Sequence, residues 1–183
     1  MGINVVVKMV RLSFPHLFEP SGFQGSEPKY SCKLIIPKSD KATMNELAGY
    51  AKQLIDEKWK GKKPANFREW YVDGDTILDE DGNVREEYAN SWRISASSKI
   101  KPGIVDQSVN PVMDPELIYA GCYVNASLSM YAYDNISKGI GFGLSHVQFA
   151  GDGKRLGGSR ISASQAFDKI DIAPEEATGE EPF

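Results

Sequence analysis

A strand-like segment of the sequence carries three tyrosines on one face. Residues 121–135 read GCYVNASLSMYAYDN, and their alternation of apolar and polar side chains predicts a half-buried strand. One face is apolar and suits a protein core, whereas the other places rings among serine and asparagine. Tyrosines are common on half-exposed strands because their hydroxyl groups tolerate water, so rings alone do not establish a site. The three rings are those of Tyr123, Tyr131 and Tyr133.

A second segment carries positive charges on alternate residues. In residues 92–102, WRISASSKIKP, one face holds Arg93, Lys99 and Lys101, and the segment contains no acidic residue. Cations contact phosphates, and flat rings stack on nucleobases at roughly 1–3 kcal/mol per base. If the two segments are neighbours, their exposed faces together have the chemistry of single-stranded nucleic-acid binding.

Three further residues could extend this surface. Lys33, in the segment KYSCKLIIP, is a candidate for phosphate contact, and Tyr30 is a candidate for stacking. Trp92 could also stack, but alternation places it opposite Arg93, where it would belong to the core.

The segments after residue 138 hold the remaining candidates. Phe142 and His146 are predicted to share a strand face, where Phe142 either extends the stacking surface or packs in the core. Lys154 and Arg155 lie in the glycine-rich run GDGKRLGGSR, which either closes over a bound strand or is an ordinary loop.

Signals for catalysis or metal binding are weak. His16 and His146 are the only histidines, and the spacings HExxH and CxxC are absent. The aspartates of residues 73–81 lack the order of a calcium-binding loop and predict a solvated loop. Cys32 and Cys122 lie in apolar contexts and are predicted to be buried free thiols. We therefore expect no enzymatic activity, no catalytic residue, no metal and no cofactor.

The elements that must position these residues are mainly strands. The hydrophobic periodicity predicts one helix, capped by Ser39 or Asp40 and ended by Gly61, and an irregular stretch over 61–90. This pattern favours a mainly β fold, a small five-stranded Greek-key barrel elaborated by a helix and long loops. The predicted strands cover 3–14, 29–37, 92–102, 121–135 and 139–150, and the helix covers roughly 41–60.

The charge of the chain is divided between a body and a tail. Residues 171–183 contain five acids and no base; removing these five from the 25 acids of the chain leaves 20, against 21 lysines and arginines. We predict a domain over 1–170 and a disordered acidic tail over 171–183. The tail ends in Glu180, Glu181, Pro182 and Phe183, which offer an aromatic anchor and negative charge to a basic pocket on a partner protein. No signal peptide or membrane span is evident, so a cytoplasmic location, with no membrane partner, is expected.

Several stretches resemble a bacteriophage family of single-stranded-DNA-binding proteins, long catalogued as a domain of unknown function. They are KMVRLSFPHLFEP, KYSCKLIIPKSD, WRISASSKIKPGIVD and the tyrosine strand with its return GIGFGLSHVQFAGDG. The resemblance covers about residues 7–170 and implies an OB-fold barrel enlarged by helices and loops. The acidic tail is similar to tails that recruit replication proteins in phage and bacterial single-strand binders.

The resemblance implies sequence-nonspecific binding of single-stranded DNA in phage replication or recombination, within the host cytoplasm. Replication or recombination proteins would be partners of the tail, and the sequence leaves open whether copies of the chain form a homo-oligomer. The alternative is a non-enzymatic β-sandwich that binds carbohydrate or serves as a structural phage module. The basic segment 92–102 favours DNA over sugar, because sugar sites prefer Asp and Asn to Lys and Arg.

Overall fold

The computed structural model describes residues 2–156, 167, 168 and 170. Within these residues the chain forms one sheet of eight strands, one α-helix and three short 3-10 helices. The strands are β1 (Ile3–Ser21), β2 (Lys29–Pro37), β3 (Phe67–Arg68), β4 (Val72–Asp73), β5 (Ser91–Ser98), β6 (Gly103–Val105), β7 (Tyr123–Asp134) and β8 (Lys138–Gly151). The helices are α1 (Lys41–Trp59) and the 3-10 turns Gly74–Thr76, Glu86–Tyr88 and Pro115–Leu117.

Five long strands close into a barrel. The order β8-β7-β1-β2-β5 is completed by a parallel contact between β5 and β8, in which Ala96 pairs with Phe142 and Ser97 with Gly143. The remaining neighbours within this ring are antiparallel. This closed Greek-key arrangement is that of an OB-fold, and it confirms the predicted fold class.

The barrel interior is built from the alternating apolar residues of each strand. On β7, Val124, Ala126, Leu128 and Met130 are fully buried. The helix α1 adds Leu47, Ala51 and Leu54 to the same core. Asp40 caps this helix by accepting a hydrogen bond from the Thr43 amide (3.2 Å), and Lys60 ends it in a left-handed conformation. The predicted helix and its cap are confirmed.

The segment Phe67–Asp73 fills the space beyond the short contact between β5 and β8. β3 pairs with Lys138 and Gly139 of β8, and β4 pairs with Trp92 and Arg93 of β5. Trp70, between the two short strands, is buried against Phe142 at a ring-centroid distance of 6.2 Å. The sequence predicted only irregular structure here, because strands of two residues leave no periodic signal.

Three predicted boundaries were wrong. β1 continues past residue 14 to Ser21 through a bend, where its register against β2 shifts. β5 ends at Ser98, whose hydroxyl accepts a hydrogen bond from the Ile100 amide (3.0 Å) and turns the chain. Residues 103–105, which lie outside every predicted strand, form β6 against β8.

Candidate nucleic-acid interface

The tyrosine strand and the basic strand are separated by one strand. β7 and β5 do not pair; β8 lies between them and presents glycines on its outer face. Small residues continue from strand to strand, because Ser31 pairs with Ser97, Ser97 with Gly143, and Gly143 with Ser129. We call this row the groove floor. It crosses four strands, a span of about 14 Å at the usual strand spacing.

Tyr131 and Tyr133 form a ring pair beside the groove floor. Their ring centroids are 6.3 Å apart and their planes are inclined by 57°. A Cβ on Gly141 would lie 3.1 Å from Tyr131 Cζ, and one on Gly139 would lie 2.8 Å from the Tyr133 hydroxyl oxygen. The alternating glycines of β8 therefore make room for rings of the neighbouring strand.

Tyr123 lies apart from this ring pair. Eight residues of strand separate it from Tyr131, which is about 26 Å. A Cβ on Gly153 would lie 3.1 Å from Tyr123 Cε2, and the cross-strand neighbour of Tyr123 on β1 is Arg11. The three tyrosines therefore do not form one continuous platform.

The residues Lys154 and Arg155 belong to the Tyr123 end of the barrel. The Arg11 guanidinium donates hydrogen bonds to the carbonyl oxygens of Gly121 (3.2 Å) and of Lys154, which fixes this segment against β1. Arg155 lies over the Tyr119 ring, 4.5 Å from its centroid.

Lys33 and Arg93 form a basic pair on the outer faces of β2 and β5. Lys33 Nζ donates to Ser95 Oγ (2.8 Å), and burial, followed by the charge of Arg93, lowers the pKa of Lys33. The Arg93 guanidinium lies 5.4 Å from the Tyr88 ring centroid, and its Nε is buried without a hydrogen-bond partner. Among the described residues, neither member of the basic pair forms an ion pair. Two adjacent uncompensated cations favour a bound anion.

The basic pair reaches the ring pair across β8. Arg93, Ser95, Tyr133 and Gly141 line one cavity of about 200 Å³. Lys33 lies on the other side of Ser95 and also borders the groove floor at Ser31 and Ser97. The basic pair, the ring pair and the groove floor, with residues 69–72 lying between Arg93 and Tyr133, form one outer surface, which we call the groove.

Lys99 and Lys101 are not on the β5 face where alternation placed them, because the strand ends at Ser98. Lys99 Nζ pairs with Glu27 Oε2 (2.8 Å), which holds the pKa of this carboxyl below its usual range. Lys101 lies 5.6 Å from the Phe18 ring centroid. The strand-face prediction for these two lysines was wrong.

Phe142 and His146 do not share a face, contrary to the prediction. Phe142 is only 3% exposed and packs in the core, whereas His146 is exposed and accepts a hydrogen bond from the Gly103 amide (3.2 Å). The β7–β8 register shifts between Ser127 and Leu128, so the alternation of β8 reverses after Leu144. A β-bulge of this kind leaves no clear mark in the sequence pattern.

Trp92 and Tyr30 are both half-buried. Trp92 contacts the Tyr71 ring edge-on (5.2 Å between centroids), and Lys38 Nζ lies 4.8 Å from its ring. Tyr30 pairs with Ser98 at the end of β5. Trp92 therefore belongs to an aromatic cluster beside β4.

Sequence reasoning missed two exposed phenylalanines beside the groove. Phe14, at the bend of β1, and Phe23, in the loop between β1 and β2, line a cavity of about 510 Å³ together with Ser31, Lys33 and Ser97. The sequence did hold a sign of their exposure. Phe14 lies next to Pro15 and Phe23 next to Gly22, and residues beside Pro or Gly often belong to turns at the surface.

Two of the aspartates of residues 73–81 form ion pairs rather than a metal site. Asp73 and Asp75 both contact Lys38 Nζ, at 2.7 and 2.6 Å. Across residues 2–156, no cluster of three potential metal ligands occurs. In the same part of the chain, no helix is long and apolar enough to cross a membrane. The proposed partner-binding residues Glu180, Glu181, Pro182 and Phe183 lie outside the described residues.

Comparison with known proteins gives consistent matches. The family described as Enterobacter phage Enc34, ssDNA-binding protein, matches residues 3–178. The putative protein p50 of Acyrthosiphon pisum secondary endosymbiont phage 1 is 33% identical over 179 residues, covering 95% of this chain and 97% of that protein.

Solved structures agree with the sequence matches. The single-stranded DNA-binding protein from bacteriophage Enc34 in complex with ssDNA is 26% identical, with a TM-score of 0.70 over 84% of this chain and 89% of that chain. The single-stranded DNA-binding protein gp2.5 of bacteriophage T7 is 13% identical, with a TM-score of 0.55 over 87% and 97% of the two chains, and supports the fold alone.

Proposed function

Because this chain belongs to the family of the Enterobacter phage Enc34 ssDNA-binding protein, we propose that it binds single-stranded DNA through the groove. One observation carries the assignment to this surface. Lys33 and Tyr131 border the groove floor, and Arg93 and Tyr133 line the cavity of about 200 Å³ beside it, so that two cations without an ion pair among the described residues lie on the same face as two rings. This face therefore provides cations for the phosphate backbone, rings for base stacking and space for the strand.

Each part of the groove has a separate task in this proposal. The basic pair contacts phosphates, and the partly buried Lys33 gains most from an anion because burial disfavours its charge. The ring pair stacks on bases, and the groove floor admits the strand close to the sheet. Phosphate contact and ring stacking do not depend on which base is present, so binding is tolerant of sequence and weakened by salt.

The biological role follows from this binding mode. The protein coats exposed single strands during phage replication or recombination in the host cell, and acts by binding rather than catalysis. The acidic residues 171–183 recruit replication or recombination proteins and compete with DNA for the basic groove. The sequence of this tail, rather than any described contact, supports that part of the proposal.

The proposal is tested by titrating labelled oligo-dT into wild type at low and high salt, with duplex DNA of equal length as competitor. Matched variants are Tyr131→Ala/Tyr133→Ala and, at the other end of β7, Tyr123→Ala. We expect salt-sensitive preference for single strands and strong loss only in the double variant. Absence of binding by wild type, also after removal of residues 171–183, would contradict the function and favour the carbohydrate alternative.

A further inference from the structure

A second cavity opens at the end of the groove floor, between the bend of β1 and the β1–β2 loop (residues 22–28). It has a volume of about 510 Å³, which lies within the usual range for small-molecule pockets. Ser31 and Ser97 belong to both the groove floor and this cavity, so a strand lying along the floor would reach it. Its lining includes Phe14, His16, Phe23, Lys29 and Lys33.

The two phenylalanines present apolar rings to solvent. Phe23 is 91% exposed and Phe14 is 51% exposed. Phe14 also has a φ of 44°, a left-handed conformation that bulky residues rarely adopt and that is concentrated at functional sites. Core packing explains neither ring, since both point away from the barrel interior.

The β1–β2 loop is tied in place although its aromatic side chain is exposed. The Phe23 carbonyl oxygen accepts hydrogen bonds from the Ser26 amide (2.9 Å) and the Ser26 hydroxyl (2.8 Å). The ion pair between Lys99 and Glu27 joins the loop to the chain just after β5. These contacts hold Phe23 at the cavity while its ring stays exposed.

The charges around the cavity favour an anion next to an aromatic ligand. Among the described residues of its lining, Lys29 and Lys33 are the cations and Glu27 is the acid, and Glu27 pairs with Lys99. A nucleotide within a strand has this combination, a flat base joined to a phosphate on either side.

We propose that this cavity captures one unstacked base of the bound strand, with Phe14 and Phe23 contacting the base and Lys33 or Lys29 contacting the adjoining phosphate. The inference rests on the proposed function and deepens it by adding an aromatic subsite outside the ring pair. His16 pairs with Ser31 of the groove floor, which it extends onto β1, and it lines the same cavity.

The test uses the full chain and oligo-dT that carries a single 2-aminopurine at successive positions. Phe23→Ala and Phe14→Ala should each weaken binding by roughly 5- to 150-fold, the usual loss for one stacked base. The fluorescence quenching of one probe position should be lost, while the dependence of affinity on salt stays unchanged because no charge is removed. Phe23→Tyr, which keeps a ring, should retain most of the affinity.

Met113→Ala is the matched control, since it removes another strongly exposed apolar side chain that does not line this cavity. Wild-type binding together with unchanged binding by both alanine variants would overturn the subsite and leave the proposed function intact. An effect of Phe23→Ala that vanishes when residues 171–183 are removed would also overturn it, because the chain's own tail would then be the occupant. Loss of binding by wild type itself would count against the proposed function.

Discussion

The ring of Tyr131 occupies the space that a side chain on Gly141 would need. A Cβ at this glycine would lie 3.1 Å from both Cζ and the hydroxyl oxygen of Tyr131. The tyrosines of β7 and the alternating glycines of β8 therefore form one structural feature. They are not adjacent in sequence and become neighbours when β7 and β8 pair as a hairpin. The ring leans over the neighbouring strand and borders the groove floor, since Tyr131 Cε1 would be 3.9 Å from a Cβ on Gly143.

Replacing Gly141 with alanine should displace the Tyr131 ring by a few tenths of an ångström. A displaced ring keeps part of its stacking energy, so we expect affinity for oligo-dT to fall about two- to tenfold. The matched control is Gly151→Ala in the same strand, where a Cβ meets nothing within 4 Å. The measurement is a titration of oligo-dT into both variants. Equal affinities would show that the position of the Tyr131 ring does not affect DNA binding.

A double-mutant cycle separates the ring pair from Tyr123. Tyr131→Ala and Tyr133→Ala should be energetically coupled in DNA binding by about 0.5 kcal/mol or more, because their rings are 6.3 Å apart. Tyr131→Ala and Tyr123→Ala should be additive within about 0.3–0.5 kcal/mol, since about 26 Å of strand separates the residues. The affinities of wild type, the two single variants and the double variant in each cycle provide the measurement. Strong coupling between Tyr123 and Tyr131 would argue for one longer binding path.

Lys33 should make DNA binding sensitive to alkaline pH. Burial and the charge of Arg93 lower its pKa, so this lysine loses its proton at a lower pH than an exposed lysine. A bound phosphate favours the charged form, and binding therefore takes up a proton in this range. Affinity should be constant below the pKa of Lys33 in the free protein and fall as pH rises through it.

Two variants test this assignment of Lys33. Lys33→Arg should remove the alkaline loss, because the guanidinium keeps its proton. Lys33→Gln should reduce the salt slope of log affinity by about 0.7, the value for one phosphate contact on a single strand. Lys52→Gln, on the exposed side of α1 where Lys52 pairs with Asp56, is the control. Identical pH profiles for wild type and Lys33→Arg would remove Lys33 from the interface.

Local patterns predicted those parts of the fold that depend on neighbours in sequence. The strand 29–37, the helix with its Asp40 cap and the β7–β8 hairpin follow from alternation, capping chemistry and a turn signal. The parallel contact of Ala96–Ser97 with Phe142–Gly143 joins segments more than 40 residues apart, and no local pattern specifies it. The barrel was therefore predicted from the number of strands rather than from their pairing.

The same limit explains the mixed outcome at the site. Alternation correctly gave the polar faces of β5 and β7, but it could not foresee that Ser98 ends β5 before Lys99 or that a bulge reverses β8 before His146. The exposed Phe14 and Phe23 depend on a bend in β1 and on a loop contact between distant residues, Glu27 and Lys99. Their placement is a property of the folded chain.

The two cysteines should report on opening of the barrel. Burial raises the pKa of Cys32 to about 12 and that of Cys122 to about 11, and both thiols are inaccessible in the core. Because the thiolate is the reactive form, neither should react with Ellman's reagent at pH 8 until the protein unfolds. Reaction rates measured across a denaturant series should follow the unfolded fraction. Fast reaction of one cysteine in native buffer would instead reveal local opening of its strand.

The contact of Trp59 with Asp134 should hold the β7–β8 turn and, with it, Tyr133. Trp59 is the last residue of α1, and its Nε1 donates to Asp134 Oδ2 (3.1 Å), which is the main reason that the pKa of Asp134 lies below its usual range. A lowered carboxyl pKa means that Asp134 stabilises the fold while ionised, and that this contribution is lost as pH falls through its folded-state pKa.

Trp59→Phe keeps a ring next to Phe67 and removes the hydrogen bond. In this variant NMR titration should show a higher pKa for Asp134, so that its stabilising effect is lost at a less acidic pH. Affinity for oligo-dT should fall at neutral pH because the turn beside Tyr133 is less well fixed, whereas the midpoint of thermal unfolding should change by only a few degrees. Asp56→Asn, on the same helix, controls for the loss of a carboxylate–donor contact away from the turn. An unchanged Asp134 pKa would show that the hydrogen bond is not formed in solution.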